Sequence, residues 1–153
     1  MVDDENAAAA KEIIDANLYM VLGTADADGN PWASPVYFAP DGYRDFFWVS
    51  RPEARHSRNI SGRDGRAIAI VVFDSSVPIG AARAVYMSAV AREVPEDDSA
   101  AGVAVFSRRS RTHGAGEWTA KDVQPPAELR LYKATATEHY LLGARDQRIP
   151  VTP

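Results

Sequence analysis

Hydrophobic and polar positions along this chain first follow a helical period and then settle into short strand-like runs. Residues 7–17, AAAAKEIIDAN, are strong helix formers with Asn6 placed as an N-cap, so the N-terminal segment 1–17 is predicted to be helical up to Asn17. From residue 18 the pattern shortens to β-type runs separated by turn residues, the habit of an all-β barrel or sandwich. Residues 18–24 form the first run, DADGNP at 26–31 supplies an Asp-Gly turn, and PWASPVYF at 31–38 resumes extended structure, which predicts a hairpin. A second Asp-Gly pair at 41–42 precedes the aromatic run 43–49, and the three segments read as a three-strand meander.

Ser50 and Glu53 have the spacing of a capping box, and Pro52 suits a first helical turn, so a helix is expected over residues 50–60. The apolar run within 66–74 predicts a central strand buried on both faces. Residues 82–94 alternate Val85, Met87 and Ala89 against Ala84, Tyr86 and Ser88, the pattern of a long strand. Acids at 96–98 and arginines at 108–109 bracket a further helix in the sense that complements its dipole. A glycine-bearing loop through Trp118 to Pro125-Pro126 leads to a strand or strand pair over 128–142, and the tail 143–153 is expected to be irregular. The whole, residues 1–153, reads as one domain, mainly β with flanking helices.

Composition narrows the picture by exclusion. Hydrophobic residues at 46% and charged residues at 25% are globular values, and the longest apolar run, 67–73, is far below the ~20 residues of a membrane helix. The sequence MVDDEN at the start lacks the basic and apolar regions of a secretory signal, so a cytoplasmic location and no membrane association are expected. Without cysteine there is neither a disulfide framework nor a thiolate, and the three histidines are too dispersed for a local metal-ligand spacing. A formal net charge of −4 argues against a nucleic-acid coat.

Charge is nevertheless concentrated. Arg51, Arg55, Arg58, Arg63 and Arg66, set against Glu53 and Asp64, give residues 51–66 a charge of +3 and leave −7 to the rest of the chain. On a helix over 50–60, Arg51, Arg55 and Arg58 stand at i, i+4 and i+7 on one face, where they and His56 would meet a phosphate. The bland alternative is a solvated face paired with acids of the first helix. Trp48 reads equally as a core residue or as one wall of a slot for a flat ligand. Ser34 and Pro35 interrupt an apolar strand, and a proline there belongs at a sheet edge, whose free backbone groups suit the pyrimidine side of a flavin. His113 and His139 have no partner visible in the sequence, and Arg108, Arg109 and Arg111 are explained by a helix C-terminus.

The order of helix, hairpin DADGNPWASPV, aromatic strand, SRPEARHSRNI segment and buried strand resembles the pyridoxamine 5′-phosphate oxidase-like, FMN-binding split-barrel family. The likeness is strongest over residues 18–73 and continues more loosely through AVYM at 84–87 and Leu131-Tyr132. It implies a six-stranded split barrel that forms a homodimer with a flavin at each shared site. By position it implies that the backbone of Ser34, Pro35 and Val36 runs along the isoalloxazine ring, and that Val49 and Ser50 touch the ring and ribityl chain. Arg55 and His56 stand where the family has an Arg-Lys pair on the FMN phosphate, with Arg51 and Arg58 flanking; Trp48, Tyr86 and Trp118 are candidates to cover the ring. The tail 143–153 lacks the tryptophan and arginine-leucine ending of the true oxidase, which points away from pyridoxamine phosphate as substrate. The expected activity is a flavin-dependent oxidoreductase using FMN, or the deazaflavin F420, with a small-molecule electron donor and acceptor. Its alternatives are a flavin carrier without turnover and an unliganded β-barrel interaction module.

Overall fold

The computed structural model describes residues 1–62 and 64–153, so Arg63 of the arginine run lies outside the described residues. In chain order the elements are α1 (Val2–Ala16), β1 (Tyr19–Ala25), β2 (Pro31–Tyr37), β3 (Ala39–Asp41), β4 (Asp45–Ser50), α2 (Arg55–Asn59), β5 (Arg66–Phe73), β6 (Ala84–Glu93), α3 (Ser99–Thr112), β7 (Arg130–Leu142) and β8 (Arg148–Val151). The strands form one antiparallel sheet in the order β2-β1-β5-β6-β7-β4-β3, with β8 alongside β7. This sheet curls into a half-barrel with helices on its flanks, the split-barrel architecture expected. Of its eight strands, β3 and β8 are only three and four residues long, and the other six carry the barrel.

Local chemistry accounts for the first hairpin. Asp26 accepts hydrogen bonds from the backbone N–H groups of Asp28 and Asn30, both at 2.9 Å, and Gly29 takes the positive φ of 85° that the turn needs. Register then follows, with Leu22 opposite Ser34 and Met20 opposite Val36, so that the inward positions of β1, Met20, Leu22 and Thr24, are buried.

Four expectations are corrected. Asn6 is not the N-cap: helix α1 begins at Val2, within the segment 1–17 expected to be helical, and Asp3, Asp4 and Glu5 occupy a first turn where acids offset the helix dipole. The three-strand meander does not form: β2 is a sheet edge, and β4 pairs with β3 and with β7, Trp48 opposite Tyr132. Phe46 and Trp48 enter the main core while Phe47 enters a second cluster with Val103 and Leu131, so β4 is covered on both faces. Strand β5 is central by pairing, but Ala67, Ala69 and Phe73 on its outer face are exposed, so only one of its faces is buried. The tail 143–153 is not irregular throughout, since β8 pairs with β7 with Ile149 opposite Leu141, after a turn in which the Gly143 N–H donates to the Gln147 carbonyl at 2.8 Å.

Candidate functional site

The helix expected over residues 50–60 is shortened by its own cap. The Ser50 hydroxyl, placed to cap a helix, instead meets His56 Nε2 at 2.9 Å, residues 51–54 form a turn, and α2 begins at Arg55 with Ala54 before it. Five helical residues cannot align Arg51 with Arg55 and Arg58, so the single arginine face does not exist. Arg51 pairs with Glu128 at 2.7 Å, both largely exposed, and Arg58 is exposed. The guanidinium of Arg55 lies 4.5 Å above the ring of Trp32 on β2, a residue the sequence reading passed over.

A cleft of 520 Å³ opens where the edge strand β2, the end of β4, α2 and the C-terminal half of α3 converge. Six of the sequence candidates line it: Pro35, Val36, Val49, Ser50, His56 and Trp118. The edge position of β2 explains why Pro35 is tolerated, and every second residue there presents backbone groups with no strand to bond. Trp118 is held by a hydrogen bond from its backbone N–H to the Ser107 hydroxyl at 2.8 Å and by an edge-to-face contact with Phe106 at 5.4 Å. His56 is only 9% exposed, and burial pushes its imidazole below the ordinary histidine value. It is therefore neutral near pH 7 and offers hydrogen bonding rather than charge.

Six candidates lie elsewhere. Trp48 is fully buried and stacks on Tyr132 with centroids 5.7 Å apart, which makes it core rather than slot wall. Tyr86 stands on the outer face of β6 beneath the Arg148 guanidinium, 4.2 Å from its ring. Arg51, Arg55 and Arg58 do not line the cleft, and neither does Ser34, although its neighbour Pro35 does.

One cleft group was missed. His113, at the end of α3, lies 2.7 Å through Nδ1 from the Tyr37 hydroxyl, and Tyr37 makes edge-to-face contacts with Phe106 and His113. Burial pushes the Tyr37 phenol up, while the nearby Arg109 charge acts in the opposite sense. No local signal in the sequence links two residues 76 positions apart. Among the described residues, no cluster of three or more metal-type side chains exists, and no helix is long and apolar enough to cross a membrane.

The family model of pyridoxamine 5′-phosphate oxidase matches residues 7–143. The chain belongs to the pyridoxamine 5′-phosphate oxidase family. Among solved structures it is similar to a heme-binding protein from Mycobacterium smegmatis, at 20% identity and a TM-score of 0.73, covering 96% of this chain and 57% of that one. It is also similar to HutZ, the heme storage protein from Vibrio cholerae, at 20% identity and a TM-score of 0.66, covering 86% of this chain and 90% of that one. A third likeness is to a protein related to general stress protein 26, of the pyridoxinephosphate oxidase family, from Clostridium acetobutylicum: 12% identity, a TM-score of 0.68, and coverage of 98% and 96%. The chain spans 57% of the length of the Mycobacterium protein. No curated protein matches it. At these identities the solved structures share the fold, and the family's ligands are not common to all of them by name.

Proposed function

We propose that this family member is a flavin-dependent oxidoreductase that binds FMN, or the deazaflavin F420, in the cleft between β2 and α3 and acts on a small molecule. One observation carries the reading: of the residues that the family resemblance assigns to the ring, the ribityl chain and the phosphate, Pro35, Val36, Val49, Ser50 and His56 line one cleft of 520 Å³, while Ser34 and Arg55 do not. That volume lies within the ~300–1,000 Å³ range of small-molecule sites. The donor set fits a flavin. Unbonded backbone of the edge strand suits the pyrimidine side of the ring, aromatic walls from Trp118 and Phe106 suit its faces, and Arg55 is the nearest permanent cation in sequence to His56. When bound, the cofactor supplies hydride transfer, and the chain binds, orients and excludes water.

The same reading includes a homodimer. Tyr19 is 59% exposed, Phe73 46% and Val90 42%, and with Ala67, Ala69 and Val71 they form a mainly apolar outer face over β1, β5 and β6, with Ser88 opposite Ala69. Tyr19 belongs both to that face and to the cleft, so a second copy seated there would close the cofactor site. An Ala69→Asp substitution at its centre is expected to halve the mass measured by light scattering; an unchanged mass would sink the dimer assignment.

A second reading is favoured by His113. Its Nδ1 meets the Tyr37 hydroxyl, so Nε2 is the nitrogen that would hold a heme iron were heme to enter the cleft, and two neighbours in fold are named for heme. The absorption spectrum of the purified protein, then of samples titrated with FMN, F420 and heme, separates the cases. Flavin bands that saturate, with binding weakened ~10–100-fold in Arg55→Ala, support the first reading. A Soret band that shifts in His113→Ala supports the second. Protein that ignores all three is an interaction module, and flavin binding without oxidation of any reduced donor is a carrier.

A further inference from the structure

Two histidine pairs stand in the cleft, and they differ in their access to water. His56 meets the Ser50 hydroxyl at 2.9 Å and is buried, whereas His113 meets the Tyr37 hydroxyl at 2.7 Å and is exposed at the end of α3. A proton that leaves the second pair is replaced from solvent, which is what a general acid needs in order to act repeatedly. Tyr37 is held for such a transfer. Its half-buried ring sits edge-to-face with those of Tyr19, Phe106 and His113, with centroids 6.3, 5.5 and 5.8 Å away, so the hydroxyl stays beside the imidazole. Burial pushes its phenol up against the opposing charge of Arg109, and it is therefore protonated at neutral pH.

The walls set the class of molecule that the hydroxyl meets. Among the described residues that line the cleft, none is Lys, Arg, Asp or Glu, while Tyr19, Tyr37, Phe106 and Trp118 are aromatic. Walls without fixed charge do not replace the hydration of a charged acceptor, and they favour a flat uncharged one.

We propose, resting on the cofactor assignment above, that Tyr37 is the catalytic proton donor to an uncharged conjugated carbonyl acceptor and that His113 is the positioning residue that returns its proton. The His113 Nδ1–H donates to Tyr37, which leaves the phenol proton for the acceptor. As hydride passes from the reduced flavin or deazaflavin, the Tyr37 proton passes to the acceptor oxygen and completes a two-electron reduction. The phenolate takes the Nδ1 proton of His113 while Nε2 takes one from solvent, so the net proton comes from water.

The test compares single-turnover oxidation of the reduced, cofactor-loaded protein by two acceptors: menadione, an uncharged quinone that must gain protons, and ferricyanide, which takes electrons alone. Tyr37→Phe should lower the ratio of the menadione rate to the ferricyanide rate ~100-fold or more, the usual contribution of a positioned acid. His113→Ala should lower it ~10-fold or more, and added imidazole should restore it. In the cofactor-free chain, menadione should quench tryptophan fluorescence saturably, and Tyr37→Phe should bind it ~3–10-fold more weakly, the loss of one neutral hydrogen bond. An unchanged rate ratio in Tyr37→Phe overturns the assignment of Tyr37, as does an unchanged menadione affinity. Failure of imidazole to restore His113→Ala overturns the role of His113. A chain that takes up neither FMN nor F420 overturns the cofactor assignment itself, and the transfer step with it.

Discussion

Replacing Arg109 with methionine is expected to destabilise the protein by ~3 kcal/mol. Arg109, on α3, spans three elements: its guanidinium donates to the Phe38 and Asn17 carbonyls at 2.8 Å each, and to those of Asp15 and Ile14 at 3.2 and 3.4 Å. Helix α1 ends at Ala16, so its last carbonyls have no partner within the helix, and Arg109 with the Asn17 side chain, which donates to Ile13 at 2.8 Å, supplies what is missing. The two short bonds, at ~1.5–3 kcal/mol each, set an upper figure of ~6 kcal/mol. Asp15 and Asn17 are open enough for water to replace their share, whereas Phe38 is 0% exposed and its carbonyl is left unpaired. That asymmetry halves the figure. Methionine keeps a flexible apolar stem near the Phe38 ring, over which the guanidinium now lies at 4.6 Å, so the loss reports hydrogen bonding more than packing. At ~2–4 °C per kcal/mol for a chain of this size, calorimetry should show a melting temperature lower by ~6–12 °C, and urea titration an unchanged slope. A loss below ~1 kcal/mol would refute the reasoning and return Arg109 to the status of an ordinary cation at a helix end.

Three further outcomes are expected. His56→Lys restores the permanent charge that burial denies the imidazole and should tighten FMN ~10-fold in a fluorescence titration; an unchanged affinity means that position 56 does not reach the phosphate. Burial lowers both His56 and His139 from the value of 6.5, so the unfolded chain binds more protons than the folded one below about pH 6.5. Stability is therefore full above that pH and falls as pH drops through it toward the depressed folded values, and urea midpoints that stay constant from about pH 7.5 to 5.5 would contradict the assignment. In α3, a Cβ on Gly102 would meet Phe47 at 2.6 Å and Leu131 at 2.9 Å, so Gly102→Ala should destabilise by ~1–2 kcal/mol in chemical denaturation despite its better helix propensity; a more stable variant would show that the two side chains give way.

Much of the barrel was legible along the chain because its causes are local. The Asp26–Asn30 turn, the alternation in β1 and β6, and α3 with acids before it and arginines near its end each depend on residues a few positions apart. The backbone edge at Pro35 was legible for the same reason, since a missing N–H excludes a central strand wherever the chain goes.

By itself, then, the sequence determined turns, periodicities, the absence of thiol chemistry and the resemblance that leads to the family. Tertiary structure alone decided which faces are covered and which polar groups meet. Trp48 became core because β7, more than eighty positions away, brought Tyr132 against it; His113 entered the cleft through Tyr37; and β5 kept an open face that its apolar run did not foretell. The arginine run shows the reason most directly. A guanidinium reads the same in sequence whether it is paired with Glu128, stacked on Trp32 or left free, and the distinction rests on partners that only folding brings within a few ångströms.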